Sequence, residues 1–229
     1  MDIKTKLSSE ERRAAIIHAV RRVFAEKGFH GTTTRELAEA AGVSEALLFK
    51  HFPNKEALYG AMMLSCSQEK DRLFERLKSL EPSASTLVFM VHGLVSRMLE
   101  CPSAGDPDRT IQGRLMLRSV MEDGEFARLF LRQVASHWIG KVEECVKAAV
   151  AAGDAVNGPV LPSLRGWFAH HLAAMMMIYL QPTKPVVDYG VPREKLVEQA
   201  VWFALRGIGI KEEVIKRCYN PKALALLTG

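Results

Sequence analysis

The stretch Thr33–Lys55, TTRELAEAAGVSEALLFKHFPNK, carries the start and stop signals of two short helices and the beginning of a third. Thr33 and Glu36 have the three-residue spacing of a capping box, in which two side chains satisfy backbone donors at the start of a helix. Gly42 follows the apolar positions of that helix and suits the left-handed conformation that often ends one. These signals predict a first helix only about two turns long.

The second half of the stretch predicts another short helix. Ser44 is a good N-cap residue, Leu48 and Phe52 lie one turn apart, and Pro53 stops the helix. Asn54 then caps a third helix. Two short helices joined by a tight glycine turn typically present the second helix to the DNA major groove, although the same pattern occurs in helical corners that never touch DNA. The mixed polar and apolar outward side chains of the second helix favour the DNA-binding interpretation.

The run GFHGTTTRELAEAAGVS through LLFKHFPNKEALY resembles the DNA-binding domain of the TetR family of transcriptional regulators. The resemblance extends without a gap from about Ser8 to Tyr59. It implies a homodimeric, all-helical regulator whose C-terminal domain binds a small molecule and thereby loosens its hold on an operator. It also implies a palindromic double-stranded DNA partner.

The resemblance assigns DNA contacts to Thr33, Thr34, Arg35, Ser44, Glu45, Ala46, Leu47, Phe49, Lys50, His51 and Lys55. Within this set, the two threonines and Lys55 would contact phosphates, and sequence readout would rest mainly on Leu47 and Lys50. Glu45 would either accept a hydrogen bond from a cytosine amino group or remain a solvated carboxylate.

Two positions depart from the family's pattern. Phe49 stands where the family usually has a tyrosine, so the hydroxyl that reaches a phosphate is missing. Leu47 replaces a small residue or threonine, and its side chain favours an apolar contact such as one to a thymine methyl group.

The composition is that of an ordinary globular protein: 229 residues, 48% hydrophobic and 25% charged. The net charge of +5 and the isoelectric point of about 9.1 suit a polyanionic partner. Residues 1–60 carry ten Lys and Arg against eight Asp and Glu, a net charge of +2. The prediction of DNA binding therefore rests on the motif and not on a concentration of basic charge.

The sequence predicts a cytoplasmic protein. No apolar run reaches the roughly 18 residues that a membrane span requires, and the N-terminus is polar, unlike a signal peptide. The four cysteines, Cys66, Cys101, Cys145 and Cys218, lack zinc-like spacing and are expected to be reduced thiols. A redox-sensing pair is the alternative.

The succession of helical patterns predicts an all-α fold with two domains. Residues 1–58 would form the helix-turn-helix domain, and residues 59–229 a larger helical bundle for ligand binding and dimerisation. The first helix, between Ser8 and Gly28, carries four arginines off its buried stripe that either reach phosphates or form a solvated face: Arg12, Arg13, Arg21 and Arg22. A long helix from Asn54 to about Leu80 would connect the domains.

The C-terminal patterns predict further helices, including a long one from Glu125 to Ala152 and two more at Pro162–Gln181 and from Pro192 to Ile208. The helix beginning at Pro162 is apolar nearly all round, which is typical of burial on more than one side. Together these last two helices suggest a four-helix interface with a second copy of the chain. Its predicted residues are Trp167, Leu172, Met176, Tyr179, Val197, Val201 and Leu205.

A small-molecule site would consist mainly of apolar side chains with a few polar anchors. The candidate lining residues are Phe89, His92, Phe126, Phe130, His137, Trp138, His171 and Met175, and filled core is the alternative for each. His171 and Met175 could bind a soft metal, but core packing is favoured, so neither a metal nor a cofactor is expected.

The sequence fits three classes of function to different degrees. A repressor released from its operator by a largely apolar effector fits the motif and the sizeable apolar C-terminal region. A DNA-binding protein without an effector, architectural or controlled by a partner, is the alternative. An enzyme would need a titratable or metal-binding cluster, and the sequence contains none of the usual catalytic motifs.

Overall fold

The computed structural model describes residues 7–68, 76–99, 107–182, 184–220 and 224, without the side chains of residues 66–68, 107–110, 112, 133, 134 and 137. Within these ranges every regular element is helical, apart from an isolated β-bridge between Ala155 and Ile210. The predicted all-α fold is confirmed. None of the helices in these ranges combines the length and apolarity needed to cross a lipid bilayer.

The described helices follow one another in chain order: α1 Ser9–Lys27, α2 Thr34–Ala40, α3 Glu45–His51, α4 Lys55–Gln68, α5 Ala84–Leu99, α6 Pro107–Met121, α7 Glu125–Phe130, α8 Ser136–Ala151, α9 Pro162–Leu180, α10 Arg193–Ile208 and α11 Glu212–Cys218. A π-helical segment, Leu131–Ala135, separates α7 from α8, so the single long helix predicted from Glu125 to Ala152 is interrupted. The helix α11 was not predicted from the sequence.

The chain forms two compact units. The first consists of Met1–Glu69 and Gly105–Val134, and the second of Lys70–Ala104 and Ala135–Gly229. The helix-turn-helix unit therefore also contains α6 and α7, which the predicted division between residues 58 and 59 placed in the C-terminal domain. That division stays a prediction about independently folding domains, which compactness alone does not test.

The predicted capping signals are present at the helix starts of the first unit. Ser8 with Glu11 and Thr33 with Glu36 each form a complete capping box. The Ser44 hydroxyl accepts a hydrogen bond from the Leu47 amide at 3.2 Å, at the start of α3. Because these bonds satisfy amides that a helix start leaves unpaired, they fix where the short helices begin.

A single apolar core holds the first unit together. It joins α1 to α2 and α4 and also to α6 and α7, which pack against α1 and α4 respectively. Its most deeply buried members are Ile16, Val20, Phe24, Leu37, Leu48, Phe52, Leu58, Met62, Leu115 and Phe126.

The second unit is built around α5, which packs against α8, α9, α10 and α11. One buried arginine binds backbone carbonyl groups of the second unit's loops. Arg165 is only 3% exposed, and its guanidinium donates hydrogen bonds to the carbonyl oxygens of Val156, Gly158, Val160 and Ile208 at 2.8–3.3 Å. These bonds satisfy backbone acceptors of the 156–160 loop and of the end of α10.

The predicted connecting helix from Asn54 to about Leu80 is only partly described. Its first part is α4, and residues 76–78 form a further helical turn. Residues 69–75 lie outside the described residues.

Candidate nucleic-acid interface

The turn between α2 and α3 determines the angle between these two helices. Gly42 has φ +64°, a left-handed conformation that side chains disfavour, and no neighbouring atom restricts the space beside it. The Val43 amide then donates to the Ala38 carbonyl at 3.0 Å. The Thr34 hydroxyl donates to Glu45 Oε2 at 2.7 Å and links the first turns of the two helices.

The exposed face of α3 follows from its buried face. Leu48 and Phe52 are buried in the core of the first unit. Since each residue turns a helix by about 100°, Ala46 and Lys50 lie nearly opposite Leu48. Both are exposed, and for Lys50 no ion pair is found within the described residues. These two side chains are therefore the most outward of the second helix.

Leu47 and Phe49 flank this outward pair. Leu47 is half-buried and Phe49 is 41% exposed, so the surface of α3 is largely apolar around one lysine. Such a surface can contact thymine methyl groups, while the lysine can donate to guanine acceptors. Neither Leu47 nor Phe49 supplies a hydrogen-bonding group.

The C-terminal end of α3 is held by an arginine of α1. Arg13 Nη1 donates to the His51 carbonyl at 2.6 Å, and its guanidinium lies 4.1 Å from the centre of the Phe52 ring. A cation at a helix C-terminus also interacts favourably with the helix dipole. Arg13 is exposed to solvent while it supports the end of α3, and its phosphate contact stays a prediction.

Lys55 also makes internal contacts. Its Nζ donates to the carbonyl oxygens of Phe29 and Thr32, both at 2.9 Å, and lies 4.4 Å from the centre of the Phe29 ring. The phosphate contact implied by the resemblance would require this ammonium to leave or share those acceptors. In the structure, Lys55 fastens the loop before α2 to the first turn of α4.

The N-terminus of α2 is organised by Glu36. Its carboxylate accepts hydrogen bonds from the backbone amide and the hydroxyl of Thr33, both at 2.9 Å, and pairs with the ammonium of Lys27. The hydrogen bond from Lys27, followed by those from Thr33, lowers the pKa of Glu36 to about 2. Arg35 is exposed and pairs with Glu39 at 2.9 Å.

The remaining arginines of α1 differ in their surroundings. Arg21 is buried and donates to the Ser65 hydroxyl at 2.9 Å. Arg22 pairs with Glu26 at 2.8 Å on an exposed face. Arg12 is half-buried.

The residues predicted to line a ligand pocket are divided between the two units. Phe126 and Phe130 belong to the first unit, where Phe126 is fully buried and the two rings stack at 6.0 Å. Phe89, His92 and Trp138 pack in the core of the second unit. His171 and Met175 are exposed there, and the side chain of His137 lies outside the described residues. The ligand assignment of these residues stays a prediction.

His92 is the most notable polar group in the core of the second unit. It is 8% exposed, its Nε2 lies 3.2 Å from the Ser96 hydroxyl, and its ring meets the Tyr219 ring edge-on at 5.7 Å. Burial lowers the pKa of His92 and raises the pKa of Tyr219 to about 12. His92 Nδ1 is buried and has no hydrogen-bond partner within the described residues.

Several residues predicted at the dimer interface are buried within the single chain, and the interface itself stays a prediction. Val201 and Leu205 are completely buried, and Met176 is 8% exposed, because these side chains face the core of their own unit. Trp167, Leu172 and Val197 are half-buried against that same core. Tyr179 alone among the predicted interface residues is substantially exposed, at 37%.

A set of apolar side chains that shares only Tyr179 with the predicted interface is exposed on α9 and α10. On α9 they recur at helical spacing and form one stripe, and α10 adds Phe203, which is 71% exposed. The members are Leu164, Phe168, Met175, Tyr179 and Phe203. We call this set the α9–α10 face.

The chain also resembles known proteins. Residues 16–62 match the family described as "Bacterial regulatory proteins, tetR family". UidR of Escherichia coli K12, an HTH-type transcriptional regulator, is 31% identical over 84 residues, which are 37% of this chain and 41% of UidR. The curated relatives are matched over only 24% to 41% of their own lengths.

Solved structures resemble the chain over most of its length. AibR, crystallised with isovaleryl coenzyme A and operator DNA, has a TM-score of 0.61 at 19% identity, covering 84% of this chain and 97% of AibR. FadR of Bacillus subtilis, crystallised with stearoyl-CoA, has a TM-score of 0.57 at 16% identity, covering 85% of this chain and 98% of FadR. At these identities the likeness concerns the fold.

Proposed function

We propose, because this chain belongs to the TetR family of bacterial regulatory proteins, that it binds double-stranded DNA sequence-specifically and regulates transcription. The observation that carries the proposal is the outward face of α3. A short helix, capped by Ser44 and held at its far end by Arg13, presents Ala46 and Lys50 directly away from the core. Such a helix suits insertion into the major groove.

The proposed contacts fall into two classes. Lys50 would read guanine acceptors, while Ala46, Leu47 and Phe49 would make apolar contacts with base edges. Thr33, Thr34, Arg35, Ser44 and His51 would contact the phosphate backbone and fix the register of α3. Lys55 would act mainly through the loop that it fastens, and Glu45 would hold Thr34.

We propose a homodimer formed through the α9–α10 face. Its large apolar side chains are exposed in the single chain, and burying them against a second copy would remove that surface from water. Two copies of α3 about one helical turn of DNA apart would bind a palindromic operator. Binding of the second half-site then becomes effectively intramolecular, which strengthens specific binding.

We further propose that the protein is a repressor whose DNA affinity an apolar effector reduces. Acyl thioesters of coenzyme A are the first class to test, because AibR and FadR were crystallised with members of that class. Effector binding would shift the population towards a conformer that holds the two α3 helices at an unsuitable separation. DNA binding without any effector, with architectural or partner control, is the alternative. Because either function requires access to DNA, we propose that the protein is cytoplasmic.

The effector proposal is tested on a DNA duplex selected by the protein itself from a random pool. Fluorescence anisotropy of the labelled duplex is followed while isovaleryl-CoA and stearoyl-CoA are added, with free coenzyme A as the matched control. Release by an acyl thioester but not by free coenzyme A supports the proposal. If neither thioester changes DNA affinity, this class is excluded. A wider effector panel without any effect would favour the alternative.

A further inference from the structure

Arg118 of α6 connects that helix to the C-terminal end of α1. Its Nη2 donates to the Lys27 carbonyl at 2.9 Å, and its Nη1 lies 3.5 Å from the Glu26 carbonyl. Carbonyl groups in the last turn of a helix lack partners within the helix, so a guanidinium is well suited to satisfy them. Glu122, in the turn directly after α6, accepts from Arg118 Nε at 2.7 Å and orients the guanidinium.

The backbone at Gly28 makes this approach possible. Gly28 has φ +73°, and a β-carbon there would lie 2.6 Å from Arg118 Nε. The positive φ favours glycine at this position, and the absence of a side chain leaves room for the Arg118–Glu122 pair beside the turn. The position of α6 and the direction of the chain towards α2 are linked at this point.

The linkage continues through the Lys27 side chain. Lys27 provides the carbonyl that Arg118 binds, and its ammonium pairs with the Glu36 carboxylate. Glu36 in turn holds the backbone amide and hydroxyl of Thr33. Two sets of polar contacts, joined only through the covalent structure of Lys27, thus connect the end of α6 with the N-terminus of α2. We call this set the Arg118 relay: Glu122, Arg118, Lys27, Glu36 and Thr33.

We infer that Arg118 is a positioning residue for DNA binding, which acts through Lys27 and Glu36 to hold the N-terminus of α2 in place for the phosphate backbone. The inference rests on the proposed DNA-binding function. It makes α6 a point from which DNA affinity is controlled without any change at the DNA surface itself. Drawing Arg118 away from the end of α1 would release Lys27 and loosen the first turn of α2.

The first test compares two arginines of the same helix. Arg114 and Arg118 lie one turn apart and line the same open groove of about 380 Å³. The hydrogen bond from Arg22 mainly lowers the pKa of Glu26, and the charge of Arg114 adds a smaller effect in the same direction. No hydrogen bond of Arg114 is found in the described part of the chain. Arg118→Ala and Arg114→Ala therefore remove the same charge from nearly the same place, and only the first breaks the relay.

We expect Arg118→Ala to weaken binding to the selected duplex by about five- to tenfold, the size of one charge-assisted hydrogen bond. Arg114→Ala should change it by less than about twofold, as expected for an exposed charge. Arg118→Lys should recover part of the loss, since an ammonium can still donate to the Lys27 carbonyl. Equal losses for the two alanine variants would show that charge alone matters and would overturn the inference.

A double-variant cycle tests whether Arg118 acts through Lys27. In a Lys27→Met background the relay is already broken, so adding Arg118→Ala should cost little further affinity. The fold-loss of DNA affinity in the double variant should therefore be much smaller than the product of the fold-losses of the two single variants. Losses that multiply as independent effects would mean that Arg118 acts by another route.

Hydrogen exchange in the DNA-free protein separates failure of the inference from failure of the proposed function. The amides of Thr33 and Glu36 are bound within the capping box at the start of α2, and the Leu47 amide is bound by Ser44 at the start of α3. Arg118→Ala should speed exchange at the first two amides about tenfold and leave the third unchanged. Unchanged exchange at Thr33 and Glu36, or equal acceleration at all three amides, would contradict positioning whether or not the protein binds DNA. If the alanine variant does not fold, Glu122→Gln, which weakens the pairing that orients Arg118, provides the same comparison.

Discussion

Lys55 and Phe29 are joined twice: the Lys55 ammonium lies 2.9 Å from the Phe29 carbonyl oxygen and 4.4 Å from the centre of the Phe29 ring. The same ammonium also binds the Thr32 carbonyl at 2.9 Å. A lysine expected at a DNA phosphate is thus part of the structure that holds the approach to α2. Its substitution should affect folding as well as DNA binding.

We predict that Lys55→Met lowers the free energy of unfolding by about 1–3 kcal/mol, because it leaves two carbonyl acceptors without their charged donor. Methionine keeps an unbranched side chain that can still pack against Phe29. Lys50→Met is the matched control, since Lys50 is exposed, and should change stability by less than about 0.5 kcal/mol. Urea denaturation followed by circular dichroism measures both, and equal stability of the two variants would refute the role given to Lys55.

The hydrogen bond between Thr34 and Glu45 leads to a prediction about base readout. Because the Glu45 carboxylate already accepts from the Thr34 hydroxyl at 2.7 Å, we expect it to be a scaffold for α2 and α3 and not a reader of cytosine. Glu45→Gln keeps an acceptor for Thr34 and removes a negative charge near the phosphates. DNA affinity should rise by a few-fold on all sequences alike. Loss of preference at one base pair in a selection experiment would instead identify Glu45 as a base-reading residue.

The lowered pKa of Glu36 predicts a dependence of stability on acid. The folded-state pKa is about 2 against an ordinary value of 4.5, so the ionised carboxylate stabilises the folded state. This contribution is fully present above about pH 4.5 and is lost as the pH falls towards 2. In Glu36→Gln, the urea concentration at half unfolding should therefore decrease less than in the wild type as the pH is lowered from 4.5 to 2. Glu39→Gln, on the same helix, serves as the control, and an equally flattened profile for it would argue against a special role of Glu36.

The α9–α10 face predicts which substitutions prevent dimerisation. Phe203→Glu places a charge on the face without disturbing the core, since the side chain is 71% exposed. It should shift the protein to a monomer in analytical ultracentrifugation. The circular dichroism spectrum should remain helical, and the monomer should still unfold in one cooperative thermal transition. Val120→Glu, at an apolar side chain that is 62% exposed on α6 of the first unit, is the control and should remain dimeric. A dimeric Phe203→Glu variant would place the interface elsewhere.

The helix starts of the first unit were predictable because their signals are local. Ser8, Thr33, Ser44 and Asn54 each bond an amide three residues further on, and that spacing is visible in the sequence. The left-handed turn at Gly42 was predictable for the same reason. Such signals depend on neighbours within one turn of helix.

The supporting contacts were not predictable, because they join residues that only the tertiary fold brings together. Arg13 lies 38 residues before His51, and Arg118 lies 91 residues after Lys27. Nothing in the spacing of these residues indicates the pairing. Sequence reasoning treated Arg13 and Lys55 as surface cations and did not single out Arg118.

The burial of residues that the sequence predicts at a dimer interface has a physical reason. Because α9 is apolar nearly all round, its hydrophobic pattern cannot distinguish the side that packs on α5 and α10 from the side that remains exposed. On α10 the regular stripe that includes Val201 and Leu205 marks the unit's own core, and the exposed Phe203 lies off it. A regular apolar stripe more often indicates internal packing than an interface.

The most direct test of the central claim is selection of bound sequences from a random duplex DNA pool, followed by titration of the enriched duplex at about 50 and 200 mM salt. The account predicts one palindrome with half-sites about one helical turn apart, bound much more weakly at the higher salt concentration. It also predicts that Lys50→Ala loses preference at particular base pairs. Binding without an enriched sequence would support the architectural alternative, and an absence of binding at both salt concentrations would contradict the claim that α3 is a recognition helix.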